Sequence, residues 1–450
     1  MRGFVVAALA AALACAGCAS REARLRQALE TGRGRVRLAG GVTEVTSELA
    51  VPEKAHDLEI VGAPEGSLLR AANSFRGRAV LVLKGASKVR LSGFAIDGNR
   101  GALEFRADLP PSDVAFARFT PNNGILAEGV KGLRIERVRF SNIAGFAVLA
   151  SACENVVVEG AQVEAGGSRN PAGKNNATGG ILLEEGTRGF RVLRCAFRNV
   201  RGNGVWTHSL YASPRNTGGL IAGNRFEQIG RDAIQVGHAS LVRVEENSGE
   251  RIGYPFEEVD VQGGAIPVAL DTAGDVDGSR YASNRFRQVN GKCIDLDGFH
   301  HGEVSGNECV NPGRAGDYPH GHYGFVFNNS NPDMFPEGIV VSGNLINGAK
   351  FGGVFVIGSG NRIEGNRLVN LNLAHCNDSG ARFGCLYDPS QPDLLRSGIY
   401  LGAGGRRPAP ARGNVIRGNQ VSGYGMRRRC VTTAPGVPPG ANRVEANRCE

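Results

Sequence analysis

Short apolar runs with polar residues interleaved dominate the chain. The pattern G-apolar-x-apolar recurs as GILAEG at 124, GILLEE at 180, GVWTHS at 204, AIQVGH at 233 and PVALDT at 267. It continues as CIDLDG at 293, GFVFNN at 324, GVFVIG at 353 and GIYLGA at 398. Successive side chains of a strand point to opposite faces, so each run predicts a strand with one inward and one outward face. A turn, a second apolar run, an Asn-rich turn and a third run follow, the third as GNRF at 223, SNRF at 283, GNEC at 306, GNLI at 343, GNRL at 365 and GNQV at 418. Copies begin about 24 to 34 residues apart, a period that signals a solenoid. A coil of three short strands buries its inward residues only by stacking on its neighbours. No LxxLxL repeat and no WD-type blade motif is present, which leaves an all-β parallel β-helix. Asn at one recurring turn predicts a ladder of stacked amides.

The array begins near residue 31. Before it, SREARLRQALET carries Leu25, Ala28 and Leu29 at helical spacing, which predicts a capping helix over 21–31. The expected division is a leader at 1–18 and one β-helix domain over 19–450. A length of 450 residues exceeds most single globular cores, and 66 Gly with one Trp suit many short strands and tight turns.

Several segments resemble the pectin-lyase-like superfamily of right-handed parallel β-helices. They are LSGFAIDGNR at 91–100, the GIxL and GNxF repeats, the capping helix and GRDAIQVGHA at 230–239. The last looks like the strand that carries catalytic aspartates in polygalacturonase-type hydrolases, with Arg231 where that family has the first of two Asp. The resemblance implies a single right-handed β-helix with a sugar-binding groove beside its first sheet. It also implies either hydrolysis by paired Asp or Ca²⁺-dependent polysaccharide lysis, in which Asp residues hold the cation. No cofactor is expected for a hydrolase. A non-catalytic surface that binds glycan or protein is the remaining reading. The chain is expected to be a monomer.

The outward positions of the first strand locate the chemistry. GKCIDLDGFHHGEVSG, from Gly291, sets Asp295 and Asp297 on one face between inward Ile294 and Leu296. Taking Val268 and Leu270 as inward makes Asp271 the column neighbour of Asp297 and the diagonal neighbour of Asp295, on the order of 8 Å away. That spacing suits the roughly 6.5–9.5 Å of an inverting acid–base pair. The expected catalytic set is Asp271, Asp295, Asp297, Asp232, His208, His238 and His300. Trp206, Gln235, Asn328 and Lys292 are the expected substrate contacts, with Trp206 a stacking platform for a sugar ring. Loops 209–219, 254–265, 312–323 and 329–336 are expected to wall the groove.

The net charge of +9 favours an acidic polymer such as a polyuronate. Nucleic acid is not expected, since no binding motif for it is present. Residues 1–18, MRGFVVAALAAALACAGC, read as a secretory leader whose Ala16-Gly17-Cys18 resembles a lipobox. This predicts an exported protein on the outer membrane, in the periplasm or at the cell surface, anchored through a lipid on Cys18, with plain secretion as the alternative. Eight further Cys suit an oxidising compartment, with Cys376–Cys385 and Cys430–Cys449 the expected pairs.

Overall fold

The computed structural model describes residues 20–261, 266–377, 384–385 and 389–450. Expectations for Cys18, for the leader and for 262–265 of one loop lie outside them. The chain winds into a parallel β-helix. One column of 14 strands runs from Gly34–Arg37 to Arg443–Glu445, parallel at every step. A second column contains the G-apolar-x-apolar strands, among them Asn123–Glu128, Ile181–Glu184, Val205–His208, Ile234–Val236 and Phe325–Asn328. The third contains the GNxF strands, such as Arg225–Ile229 and Arg285–Val289. Val148–Ser151 adds one more coil to the nine read from sequence, inserted between Asn123–Glu128 and Ile181–Glu184.

Packing follows the alternation. Inward Ile181, Leu183, Val205, Ile234, Val236, Ile294, Leu296, Phe325 and Phe327 are buried in one continuous core. Phe197 and Phe226 stack in successive coils, their ring centroids 4.9 Å apart. At Gly180 the next coil leaves no room for a side chain, since a Cβ there would overlap the Gly204 carbonyl oxygen. The predicted amide ladder is continuous through Asn224, Asn247, Asn284, Asn307, Asn344, Asn366, Asn419 and Asn447. Each Nδ2 donates to the next Oδ1 at 2.8–3.0 Å. The second amide hydrogen goes to a backbone carbonyl, as from Asn284 to Val244 O at 2.8 Å. These side chains thereby satisfy buried polar groups at a turn where no sheet can.

The capping helix spans Arg21–Leu29, with the Ser20 hydroxyl accepting from Ala23 N at 3.1 Å. Leu29 is buried and Leu25 and Ala28 pack on the core, so the helix covers the first coil. Disulfides join Cys376 to Cys385 and Cys430 to Cys449. A third, unforeseen in sequence, joins Cys293 to Cys309 across one coil. Among the described residues no helix is long and apolar enough to cross a membrane.

Candidate active site

Two strands build the site, Val268–Asp277 and Lys292–His300. Their register pairs Leu270 with Ile294, Asp271 with Asp295, Thr272 with Leu296 and Ala273 with Asp297. This corrects the sequence alignment by two residues. The inward pair of the earlier strand is Leu270 and Thr272, not Val268 and Leu270. Thr272 is tolerated inside because its hydroxyl meets the buried Tyr281 OH at 2.7 Å. Asp271 is therefore the direct neighbour of Asp295, not of Asp297. Paired positions on adjacent strands lie about 4.8 Å apart, so the wide diagonal expected for an inverting pair is replaced by a side-by-side one.

The column continues into Gln235, the partner of Asp271 on the preceding coil. Gln235 Nε2 donates to Asp271 Oδ2 at 2.6 Å, and its Oε1 accepts from Asn203 Nδ2 at 2.7 Å. Asp232 closes the same corner, its Oδ1 accepting from Val268 N at 2.9 Å. Lys292 Nζ pairs with Asp295 Oδ2. Asp295 Oδ1 is buried with no hydrogen-bond partner among the described residues. Asp297 accepts twice from Ser330, from its amide at 2.8 Å and its hydroxyl at 2.5 Å.

These groups line a cavity of about 420 Å³. Of the expected residues, Asp232, Asp271, Asp295, Asp297, Gln235, Asn328 and Lys292 line it. Arg231, His322, Ser330, Phe355 and Arg406 join them. His322 and Arg406 were not picked out in sequence. His322 lies in PHGHYG, just ahead of a first-sheet strand, which is its one local signal. Arg406 comes from a loop after the strand Ile399–Leu401 and has none.

Asp232, Asp271 and Asp295 are 3%, 8% and 6% exposed. Burial drives all three carboxyl pKa values upward. Asp232 rises to about 6, because Arg231 only partly offsets its burial. Asp271 rises well above the usual carboxylate range, pushed first by burial and then by the charges of Asp232 and Asp295. Asp295 rises through burial too, opposed by the Lys292 ammonium. Burial works against the Lys292 charge, but Asp295, Asp271 and Asp297 more than offset it and raise its pKa. His322 is driven down to about 3 by burial and then by Lys292 and Lys350, so it is neutral. The arrangement places Asp271, whose carboxyl is pushed well above the usual carboxylate range, beside the lysine-paired Asp295 in one cavity.

The remaining expected residues fall in two other places. Trp206 is 7% exposed and packs in an apolar cluster with Phe116 and Phe146, at centroid distances of 4.8 and 6.4 Å. The segment Phe116–Phe119 covers it, held by Phe116 N and Ala117 N donating to Glu184 at 2.9 Å each. His208 and His238 sit edge to face beside this cluster, centroids 5.8 Å apart. Burial lowers their pKa values to about 4 and about 3. His300 faces Asp275 and Asp277. None of these four is among the residues lining the cavity. Of these four only Trp206 shares the outward column of Gln235, Asp271 and Asp295, two strands before Asp271.

Fold and site together define a mostly-β parallel β-helix with an acidic, cation-flanked cavity on its first sheet. The family described as "Right handed beta helix region" matches residues 112–266, in agreement with the expected right-handed β-helix. No curated protein matches the chain in sequence. Among solved structures it is similar to the N-terminal fragment of gene product 12 of bacteriophage phi29. The TM-score there is 0.62 at 13% identity, over 96% of this chain and 70% of that one. It is similar to the A-module of the mannuronan C-5 epimerase AlgE4 of Azotobacter vinelandii, with TM-score 0.56 at 10% identity over 95% and 96% of the two chains. It is also similar to PfbA, a surface adhesin of Streptococcus pneumoniae, with TM-score 0.55 at 14% identity over 78% and 85%. The fold is thus shared by a glycan-active enzyme, an adhesin and a phage protein.

Proposed function

We propose that this protein is a carbohydrate-active enzyme that cleaves an acidic polysaccharide by acid–base chemistry in the Asp232–Asp271–Asp295 cavity. The observation that carries the reading is the pair Asp271 and Asp295, adjacent and buried, with Lys292 paired to Asp295. Like charges this close do not both ionise, so one carboxyl keeps its proton near neutrality. Asp271, with no cation bonded to it, is the proton donor to the glycosidic oxygen. Asp295, paired with Lys292, turns its unpartnered Oδ1 towards the positive charge that develops at the anomeric carbon; water adds there as the glycosidic bond breaks, and its proton returns to Asp271. Gln235 orients Asp271 through Nε2. Arg231 and Arg406 meet substrate carboxylates, and the buried, unpartnered Nε of Arg231 is ready for that contact.

A polysaccharide lyase is the second reading, favoured by the cations on the same cavity. There Arg231 and Lys292 neutralise a uronate carboxylate and a basic group removes the proton at C5. The three disulfides suit an oxidising compartment, which supports an exported protein. Anchoring through Cys18 belongs to the same proposal.

The test is a panel of acidic and neutral polysaccharides, assayed for new reducing ends and for ultraviolet absorbance of an unsaturated product. Reducing ends without that absorbance, lost in Asp271→Asn, support hydrolysis. Absorbance with the reducing ends supports the lyase. Tight binding with no cleavage of any polymer overturns the enzyme reading and makes the groove a glycan-binding surface.

A further inference from the structure

Beyond the acidic cavity, the two strands that carry it end in a second cluster. After the bulge at Ala273/Val276, Asp277 pairs with His300, and His301 follows. His300 Nε2 lies 3.4 Å from Asp275 Oδ1 and 3.6 Å from Asp277 Oδ1. His301 Nδ1 lies 3.0 Å from that same Asp277 oxygen. Ligand atoms bound tetrahedrally at 2.0–2.1 Å from zinc stand about 3.4 Å from one another. The ligand atoms of Asp277, His300 and His301 all lie within 4.8 Å of one another, near that spacing, with Asp275 beside His300. We propose that Asp277, His300 and His301, completed by Asp275, bind one divalent transition cation of the zinc class.

Three observations point to a cation at this place. First, the His300 side chain is 9% exposed, and its Nδ1 is 3.1 Å from the Gly298 carbonyl oxygen. That contact fixes the N–H on Nδ1 and leaves Nε2, the atom facing both carboxylates, as the ligand nitrogen. Nε2 faces two carboxylate oxygens, an arrangement that a cation between them completes. Second, the outer partners are in place. Arg215 Nε donates to Asp275 Oδ2 at 3.3 Å, leaving Oδ1 for the cation, while Nη1 is 2.9 Å from His238 Nδ1. Third, the Phe335 ring stacks on His300 with centroids 5.1 Å apart and closes one side. Two imidazoles with carboxylates suit zinc, manganese or nickel, whereas calcium prefers an all-oxygen shell. The site differs from the hydrolytic cavity, since His300, His301, Asp275 and Asp277 do not line that cavity.

The experiment uses the full exported chain without a histidine tag, stripped with chelator. Calorimetric titration with Zn²⁺ is expected to give one site, and Co²⁺ to give a visible absorption band typical of a low-coordinate N/O site. Zn²⁺ is expected to raise Tm. Asp277→Asn and His301→Ala, both on half-exposed side chains that the fold does not need, each reduce affinity about 100-fold or more and remove the rise in Tm. Asp275→Asn reduces affinity less. Failure of stoichiometric Zn²⁺ and Co²⁺ to bind overturns the proposal, and so does unchanged affinity in both folded variants. A Tm that rises equally in wild type and in Asp277→Asn also overturns it. In that case His300 contacts the two carboxylates without a metal between them.

Discussion

At the scale of single residues, burial decides what each candidate does. Asp271 and Asp295 share one column, and amidation of Asp271 removes the proton it would donate with little change of shape. Asp271→Asn is expected to lower turnover by roughly 10²-fold or more with the fold intact, as read by steady-state rates on the polymer found in the screen. Near-normal rates would move the chemistry elsewhere. Asp232 makes a pH prediction with a definite sign. Its carboxyl titrates at about 6 in the folded chain, against roughly 3.9 when unfolded. As pH rises through that window the unfolded chain releases its proton first, so the folded state loses stability. Asp232→Asn should therefore gain on wild type between about pH 4 and pH 6, by on the order of 2 kcal/mol, with no further change below pH 4. Denaturation series at several pH values check this, and the buried histidines cancel because both proteins carry them. Trp206 belongs to packing. Trp206→Ala is expected to cost about 3–5 kcal/mol by emptying the cluster with Phe116 and Phe146. Unchanged stability with lost glycan binding would restore the stacking role.

At the scale of elements, side-chain amides staple the coil-to-coil turn alongside the backbone bonds there. Asn307 shows the logic. Its Oδ1 accepts from Asn284 N at 3.1 Å and Asn284 Nδ2 at 2.8 Å, while its Nδ2 donates to Asn344 Oδ1 at 3.0 Å. Asn307→Ala strands several buried groups and should cost about 2–4 kcal/mol in urea denaturation. Asn447, the half-buried last rung, should cost less when changed in the same way. Equal losses at both positions would mean that the ladder does not act as a buried network. The ladder was legible in the GNxF repeat because one residue type recurred at one turn. The strand Val268–Asp277 was not aligned correctly, for a reason of the same kind. Thr fits either face of a strand, and only its bond to Tyr281 shows that Thr272 lies inside.

At the scale of the whole molecule, a solenoid has two ends and each needs closing. The helix Arg21–Leu29 covers one. At the other, the disulfide Cys430–Cys449 ties the last strands of two columns together. Cys430→Ser with Cys449→Ser is expected to destabilise the last coils by about 2–4 kcal/mol. Hydrogen exchange should show faster exchange there than around Asn224. Uniform exchange along the array would deny the tie that role. Placement in the cell is checked separately. Wild type is expected in the membrane fraction and Cys18→Ala in the soluble exported fraction. Equal solubility of the two would remove the anchor.

Local periodicity by itself determined the coil, its inward and outward faces, the amide ladder and the capping helix. All depend on residues near one another in the chain or on one type repeated at one place. Tertiary structure decided which outward residues meet. The two-residue shift that brings Asp271 beside Asp295 depends on packing between coils. The segment over Trp206, and the entry of Arg406 and His322 into the cavity, depend on loops whose paths no local pattern encodes. The separation of His300 from the acidic cavity arises from a bulge that turns two strand ends away. Register and loop position are set by contacts between distant parts of the chain, and those contacts exist only once the coils have stacked.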